Sequence, residues 1–107
     1  MKDLERDERI ALFDVYGELL SAKQQEYFRM YYFEDLSFGE IAENNTVSRQ
    51  AVQIALEQAV DKMQRFEHTL HVIEGRHKRE EIVQQIADHI GNAQLDKAQI
   101  LLQTIKE

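Results

Sequence analysis

Side chains suited to hydrogen bonding with a nucleic acid are concentrated in a short run that begins at Ser48. Arg49 and Gln50 follow it directly and Gln53 comes three residues later, so a helix that begins here would present all of them near its N-terminal end. A guanidinium can hydrogen-bond to guanine and a carboxamide to adenine, while a serine hydroxyl and exposed helix amides can bind phosphate. The run therefore predicts a site that reads a nucleic acid, unless it only forms the solvated polar face of a structural helix pair.

Cationic side chains further along the chain form two more candidate sites. Lys62 and Arg65 would lie on the same helix and could contact phosphates. Arg76, Lys78 and Arg79 form a second basic patch, which could bind the backbone of a structured RNA. The alternative for this patch is an ordinary solvated helix end.

The protein has 107 residues and a net charge of −7, which is unevenly distributed. Residues 1–47 carry 5 basic and 11 acidic side chains, whereas residues 48–67 are balanced. Firm DNA complexes commonly neutralise about 6 to 10 phosphates, and residues 48–67 hold only three cations. The acidic first part would suit a basic protein partner, so an interaction module without a nucleic-acid role stays open as an alternative.

Local signals around the candidate reading helix predict two helices joined by a tight turn. Ser37, with Glu40 three residues later, forms a capping box that predicts a helix from Phe38 onward, and Ser48 can cap the second helix. The second helix would bury apolar side chains at helical spacing, namely Val52, Leu56, Ala59 and Met63. This order predicts a helix-turn-helix over about residues 37–64.

The rest of the chain is also typical of helices, since it has no proline and only four glycines. A first amphipathic helix is predicted over residues 4–20, and a second, which begins with another capping box, over 22–33. From residue 49 a helix could continue to about 90 or break at Gly75, and a closing helix is predicted over 93–105. The predicted fold class is therefore all-α.

Apolar residues continue at helical spacing into the C-terminal half, at Phe66, Leu70, Ile73, Ile82, Ile86 and Ile90. A single helical domain spanning residues 1–107 is too small to cover this stripe. We therefore expect the part from about 65 to 106 to form a homodimer. Packing of the closing helix onto the stripe within one chain is the alternative.

Other classes of function are disfavoured by the composition. Cysteine and glycine-rich phosphate loops are absent and no acid–base pair converges, so we predict neither an enzyme nor a cofactor. His68 and His71 could share a helix face, but no third ligand accompanies them, so no metal site is predicted. The aromatic run over residues 27–33 could stack bases but is more typical of a core. The charged N-terminus predicts neither a signal peptide nor a membrane span, which makes the cytoplasm the expected location.

The stretch LLSAKQQEYFRMYYFEDLSFGEIAENNTVSRQAV resembles the DNA-binding region 4 of bacterial sigma factors. The chain as a whole, with its ALFDVYGELL helix, VSRQAV and a Leu- and Ile-rich C-terminal half, resembles the YlxM family of small bacterial proteins over roughly residues 10–106. This resemblance implies an all-helical, sigma region 4-like helix-turn-helix fold with a long C-terminal helical extension, and a homodimer. Members of that family are encoded beside the signal recognition particle GTPase, which implies a regulatory role in that secretory pathway.

Two places depart from the sigma-factor pattern. The turn holds Asn45 and Thr46 where the pattern has an apolar residue and glycine, and we expect Asn45 to adopt the left-handed conformation because asparagine tolerates it better. The second helix holds Glu57 and Asp61 where sigma-like helices carry several cations. Two hypotheses follow. One is a dimeric regulator that binds DNA or signal recognition particle RNA, and the other is a protein-interaction module whose partner is the signal recognition particle GTPase.

Overall fold

The computed structural model describes residues 4–91 and 95–106, and every regular element in these ranges is a helix. The α-helices are α1 (Arg6–Tyr16), α2 (Ala22–Tyr32), α3 (Phe38–Asn45), α4 (Arg49–Leu70), α5 (Val72–Ile90) and α6 (Leu95–Lys106), with a short 3-10 turn at Gly17–Leu19. The predicted all-α class is confirmed. The first helix is shorter than predicted, because the chain tightens into the 3-10 turn after Tyr16. Within the described ranges, no helix is both long enough and apolar enough to span a membrane.

The chain divides into two compact units, Met1–His71 and Val72–Glu107. The first unit holds α1 to α4, and the second holds α5 and α6. The sequence-based expectation of one helical domain over residues 1–107 stays a prediction.

The core of the first unit is built around α4, which packs against α1, α2 and α3. Its buried apolar side chains are Leu12, Tyr16, Leu20, Tyr27, Phe28, Tyr32, Ile41, Ala42, Val52, Leu56, Ala59, Val60 and Met63. The four residues predicted to be buried by α4 are among them. Tyr16 is 2% exposed, and its hydroxyl donates a hydrogen bond of 2.6 Å to Oε1 of Glu67. This bond ties α1 to the last turns of α4.

The starts that serine caps predicted for α2, α3 and α4 are confirmed by their capping bonds. At α3, Oγ of Ser37 accepts from the backbone N–H of Glu40 and Oε1 of Glu40 accepts from the N–H of Ser37, both at 3.1 Å. Ser21 forms the same reciprocal pair at α2. At α4, Oγ of Ser48 accepts from the N–H of Ala51 at 3.0 Å. Each cap satisfies donors that a helix start leaves without a partner in the backbone, so it fixes where the helix begins.

The expectation for the turn between α3 and α4 is wrong by one residue, because Thr46 and not Asn45 adopts the left-handed conformation, with φ 56° and ψ 47°. Asn45 remains in α3, where its Nδ2 donates to the carbonyl oxygen of Ile41 at 2.8 Å. The N–H of Val47 donates to the carbonyl oxygen of Ala42 at 3.1 Å, as in a Schellman motif. That motif requires the left-handed residue directly after the helix, which places the strain on threonine.

The break after α4 is also displaced from the predicted position at Gly75. The helix ends at Leu70, His71 is left-handed with φ 53° and ψ 34°, and Gly75 lies inside α5. Helical stability in proteins comes mostly from tertiary packing. Phe66, whose ring lies 5.9 Å from that of Tyr16, and Glu67 are half-buried, whereas the last three residues of α4 are exposed. Helix α4 therefore ends just after its last half-buried residues. Gly75 alone does not interrupt α5.

The second unit consists of α5 packed on α6. Among the side chains that the structure describes there, over residues 72–91 and 99–105, none is buried. Ile82, Ile100 and Leu101 are 49%, 67% and 44% exposed. Two helices alone leave much of their apolar surface in water, which agrees with the expected homodimer, although the dimer itself stays a prediction.

Candidate nucleic-acid interface

The sequence-predicted reading residues lie together at the N-terminal end of α4. Ser48, Arg49, Gln50 and Gln53 are all exposed, while the opposite face of the helix is buried in the core of the first unit. The Ser48 hydroxyl is occupied as an acceptor by its cap, but it can still donate its hydrogen to a phosphate oxygen. The arrangement is a rigid helix end that presents donors and acceptors outward.

Arg49 extends back over α3. A Cβ added at Gly39 would lie 2.9 Å from both Nε and Nη2 of Arg49, so the guanidinium rests directly on the backbone where this glycine has no side chain. The carboxylate-bearing residues Glu40 and Glu43 line the same open depression. Arg49 therefore lies at the junction of the two helices, with its guanidinium against Gly39, although the residue as a whole is exposed.

Gln50 and Ile54 form the outward centre of the first two turns of α4. They are four residues apart and therefore share a helix face, opposite to buried Val52 and Leu56. Ile54 is 45% exposed. The sequence analysis did not single it out, although an apolar residue two positions from the buried stripe was a visible signal. An exposed isoleucine beside a glutamine can contact the 5-methyl group of thymine in a major groove.

Gln53 lies at the edge of this surface, towards α1 and α2. Its Nε2 makes a long contact of 3.4 Å to Oε1 of Glu57, and it lines a cavity of about 220 Å³ together with Arg9 and Tyr31. Nη1 of Arg9 donates to the Tyr32 hydroxyl at 2.8 Å. Its Nε is buried and lacks a hydrogen-bond partner within the part of the chain that the structure describes.

Arg9 therefore brings a positive charge from α1 to the side of the reading helix, which the sequence analysis missed. The sequence-based charge count included Arg9 among the cations of residues 1–47, where acidic side chains predominate, so it was not considered part of the interface. A signal was available, since Arg9 shares a helical face with Leu12 and Tyr16, which are buried. A cation on an apolar face must lie at the edge of the core or inside it.

Lys62 and Arg65 are not brought to the reading end. They follow Arg49 by 13 and 16 positions, which corresponds to about 20 to 24 Å along the helix axis. The charge of Arg65 is also paired, because its Nη2 lies 3.2 Å from Oδ2 of Asp61. These two residues can at most contact a more distant part of a nucleic-acid backbone.

The second basic patch, Arg76, Lys78 and Arg79, lies on α5 in the second unit, and all three residues are exposed. Nζ of Lys78 is paired with Oε1 of Glu74 at 3.1 Å. The rings of His68 and His71 are 6.3 Å apart. Among the described residues, no group of three or more histidines and carboxylates that could hold a metal ion is found.

One carboxylate at the interface has a perturbed protonation equilibrium. The hydrogen bond from the Ser37 backbone, and then that from its hydroxyl, lower the pKa of Glu40 below its ordinary value of 4.5. Both bonds favour the ionised form, because a carboxylate accepts hydrogen bonds better than the neutral acid does. Glu40 therefore stays charged beside Arg49 under neutral conditions.

A short helix, a tight turn and a longer second helix that presents its N-terminal end to solvent define a helix-turn-helix protein. A family model described as "Putative helix-turn-helix protein, YlxM / p13 like" matches residues 4–103. The chain is 43% identical over 79 residues to a UPF0122 protein of Ureaplasma urealyticum, covering 74% of this chain and 80% of that one. It is 36% identical to a UPF0122 protein of Listeria monocytogenes over 96 residues, covering 90% and 83% of the two chains. The chain belongs to this UPF0122 family, which confirms the resemblance to YlxM.

Proposed function

We propose that this protein is a regulator that binds nucleic acid through the N-terminal end of α4. The observation that carries the proposal is the exposure of Arg49, Gln50 and Gln53 on a helix whose other face is fixed in a core. Had the first unit covered these side chains, no reading surface would exist. The family description as a helix-turn-helix protein supports the same class of function.

Duplex DNA is the first target to test. The major groove of B-DNA is about 12 Å wide and admits a helix, whereas the major groove of A-form RNA is too deep and narrow for side chains to read. Gln50 and Ile54 project from consecutive turns of one helix face, which suits the wider groove. Signal recognition particle RNA is the second target, because the YlxM-like sequence implies that pathway, and its contacts would be to the backbone.

The binding experiment uses fluorescence anisotropy with a labelled pool of random duplex DNA and with signal recognition particle RNA. Arg49→Ala combined with Gln50→Ala should weaken binding, because it removes the outward donors of the reading end. Lys62→Ala combined with Arg65→Ala is the matched control at the far end of α4 and should have the smaller effect. Equal binding by wild type and the Arg49/Gln50 variant would remove this helix end from the site.

The salt dependence of the affinity gives a second measure. Each neutralised phosphate contributes about −0.9 to the slope of log K against log salt concentration. Arg49 is the only lysine or arginine among residues 48–58. Together with the more distant Lys62 and Arg65, it allows a single copy at most about three phosphate contacts, with a slope no steeper than about −3. A slope near zero would argue against phosphate binding.

A homodimer would double those contacts, and we propose that the second unit forms it. The support is the exposed apolar surface of α5 and α6, which holds Ile82, Ile100 and Leu101. Ile82→Asp combined with Ile86→Asp should lower the mass measured by sedimentation. Gln85→Asp adds a carboxylate at an exposed polar position of the same helix and should leave the mass unchanged. Two reading helices should then recognise half-sites roughly 34 Å apart.

The second candidate function is a protein-interaction module of the signal recognition particle pathway, with the particle's GTPase as partner. The observation that favours it is the charge of residues 1–47, which hold 5 basic and 11 acidic side chains. This candidate predicts that the purified GTPase co-elutes with the protein in the absence of RNA, and that the Arg49/Gln50 variant still co-elutes with it. If, in addition, neither duplex DNA nor the RNA is shifted in a gel at low salt, this candidate replaces the first.

A further inference from the structure

An open groove of about 550 Å³ lies between α1 and α2 in the first unit. We propose that it binds an amphipathic helix of a protein partner, which places an apolar side chain against Phe33 and basic side chains against the acidic edge formed by α1. None of the residues that line it belongs to α4. The surface therefore goes beyond the proposed nucleic-acid function and could be occupied at the same time.

The depth of the groove comes from residues with little or no side chain on α1 and the 3-10 turn. Ala11 and Gly17 both line it, and a Cβ added at Gly17 would lie 3.0 Å from the ring of Phe13. That ring is stacked on Phe28, with centroids 4.2 Å apart and an interplanar angle of 3°. Because Phe28 is fully buried, the aromatic floor is fixed to the core. A rigid apolar depression of this kind suits insertion of a partner side chain.

Phe33 provides the exposed anchor. Its ring packs at 5.9 Å from Phe13 and 6.1 Å from Phe28, so its position is defined by the floor. It is nevertheless 54% exposed. An aromatic side chain that is held in place but left half in water is the kind of residue that contributes most at protein interfaces. Docking a partner here would bury it without having to order it first.

The charge of the edge selects the partner. Asp7, Asp14 and Glu18 line the groove from α1 and the adjoining turn, and their spacing of seven and four residues places them along one side. Arg29 is the one cation in the lining, and it lies over the ring of Phe13 at 5.5 Å. Asp7 and Glu18 provide carboxylates with which a basic partner can pair. From Asp7 to Glu18 the edge spans roughly 16 Å, which matches three turns of a helix with cations at similar spacing.

The helix-in-groove mode fits these dimensions better than an extended strand does. The first unit offers helices and no open sheet edge among its described residues, so a strand could gain no backbone hydrogen bonds there. A helix satisfies its own backbone and needs only an apolar face and a charged flank.

The test uses a labelled 14-residue peptide of leucine and lysine arranged with helical periodicity, and a scrambled peptide of the same composition without an apolar face. Fluorescence anisotropy at about physiological salt should show the patterned peptide binding at least tenfold more tightly than the scrambled one. Phe33→Ala should lower the affinity roughly tenfold, and Asp7→Asn combined with Glu18→Gln should lower it and reduce its salt dependence. Glu34→Gln combined with Glu43→Gln removes the same charge outside the groove and should change it little.

Several results would overturn the proposal. Equal binding of the scrambled peptide, or an equal loss with the Glu34/Glu43 control, would show nonspecific attraction to an acidic protein. Amide chemical-shift changes in α4 rather than in α1 and α2 would place the peptide elsewhere. A lower sedimentation mass of the free Phe33→Ala protein would show that a second copy occupies the groove. Because the groove contains no residue of α4, the Arg49/Gln50 variant should still bind the peptide even where it no longer binds nucleic acid. This result separates the two proposals.

Discussion

Replacing Gly39 by alanine tests whether α3 holds Arg49 in its reading position. The added Cβ would lie 2.9 Å from Nε and Nη2 of Arg49, which is closer than such atoms approach, so the guanidinium must move. The end of an arginine side chain moves at little cost, whereas alanine in place of a helical glycine stabilises a helix by roughly 0.5 to 1 kcal/mol. We therefore expect the free energy of unfolding to stay the same or to rise by up to about 1 kcal/mol.

The affinity for nucleic acid should move in the opposite direction. A lost bidentate contact to a base costs about 1 to 3 kcal/mol, or roughly 5- to 150-fold in Kd. We expect a value near the lower limit, because the displaced guanidinium of Arg49 can still reach a phosphate. Urea denaturation measures the stability and fluorescence anisotropy with labelled duplex DNA measures the affinity. A variant that is as stable as the wild type but binds more weakly would separate positioning from folding.

Gly75→Ala is the matched control. Gly75 is also helical, and its added Cβ would lie 3.3 Å from Nη1 of Arg79, but it lies on α5. It should give a similar gain in stability and leave duplex affinity unchanged. If Gly39→Ala binds as tightly as the wild type while Arg49→Ala binds weakly, Arg49 works without resting on α3. A loss of stability above about 1 kcal/mol would show that the Cβ meets atoms that cannot move.

Four further predictions concern single contacts. Tyr16→Phe removes the 2.6 Å bond to the Glu67 carboxylate and should lower the free energy of unfolding by about 1.5 to 3 kcal/mol in urea denaturation, with a loss under 0.5 kcal/mol contradicting it. Thr46→Gly relieves a left-handed threonine and should raise stability by about 1 kcal/mol, an increase that would be absent if the turn were not strained. Glu40 has a lowered folded pKa, so its ionised cap stabilises above the unfolded value and is lost as pH falls through the folded one. The Tm of wild type should exceed that of Glu40→Gln at neutral pH, and the difference should shrink as the pH falls below the ordinary value of 4.5. A difference that does not change with pH would refute this. If Ile54 contacts thymine, deoxyuridine duplexes should bind wild type about fourfold more weakly, and Ile54→Ala should bind both duplexes equally.

Helix starts were predictable because their signals are short. The Ser37 and Glu40 pair closes its two hydrogen bonds within one turn, so residue identity at two positions suffices. The cap at Ser48 follows in the same way. The burial of Val52 and Leu56 was equally accessible, since helical periodicity determines which face turns inward once the start is known.

Helix ends and the turn were less predictable because they depend on competition between alternatives. Asn45 is the better left-handed residue in isolation, yet the Schellman bonds favour a helix that includes it and place the strain on Thr46. Gly75 is the weakest helical residue of its region, yet the break falls at His71. The first outcome depends on the hydrogen bonds that close the turn and the second on where the burial of α4 stops, and a single sequence shows neither.

The candidate interface was predictable only where its signals lie close together in the sequence. Arg49, Gln50 and Gln53 were found because they follow a cap, which is a local signal. Arg9 was missed because its approach to Gln53 joins residues 44 positions apart. The resting place of Arg49 on Gly39 likewise depends on the crossing of α3 and α4, which only the fold defines.

The sparse cations of the first unit and the exposed apolar surface of the second belong to one physical argument. A single reading end with Arg49 as its only exposed cation in the first turns of α4 is far short of the roughly 6 to 10 phosphate contacts of a firm complex. In a homodimer, once one reading end has bound DNA, binding of the second becomes intramolecular, with an effective concentration of up to about millimolar. The apolar faces of α5 and α6 are available to make that connection. If the protein were a monomer, its reading end would bind duplex DNA only weakly, and the acidic groove of α1 and α2 would become the stronger interaction surface.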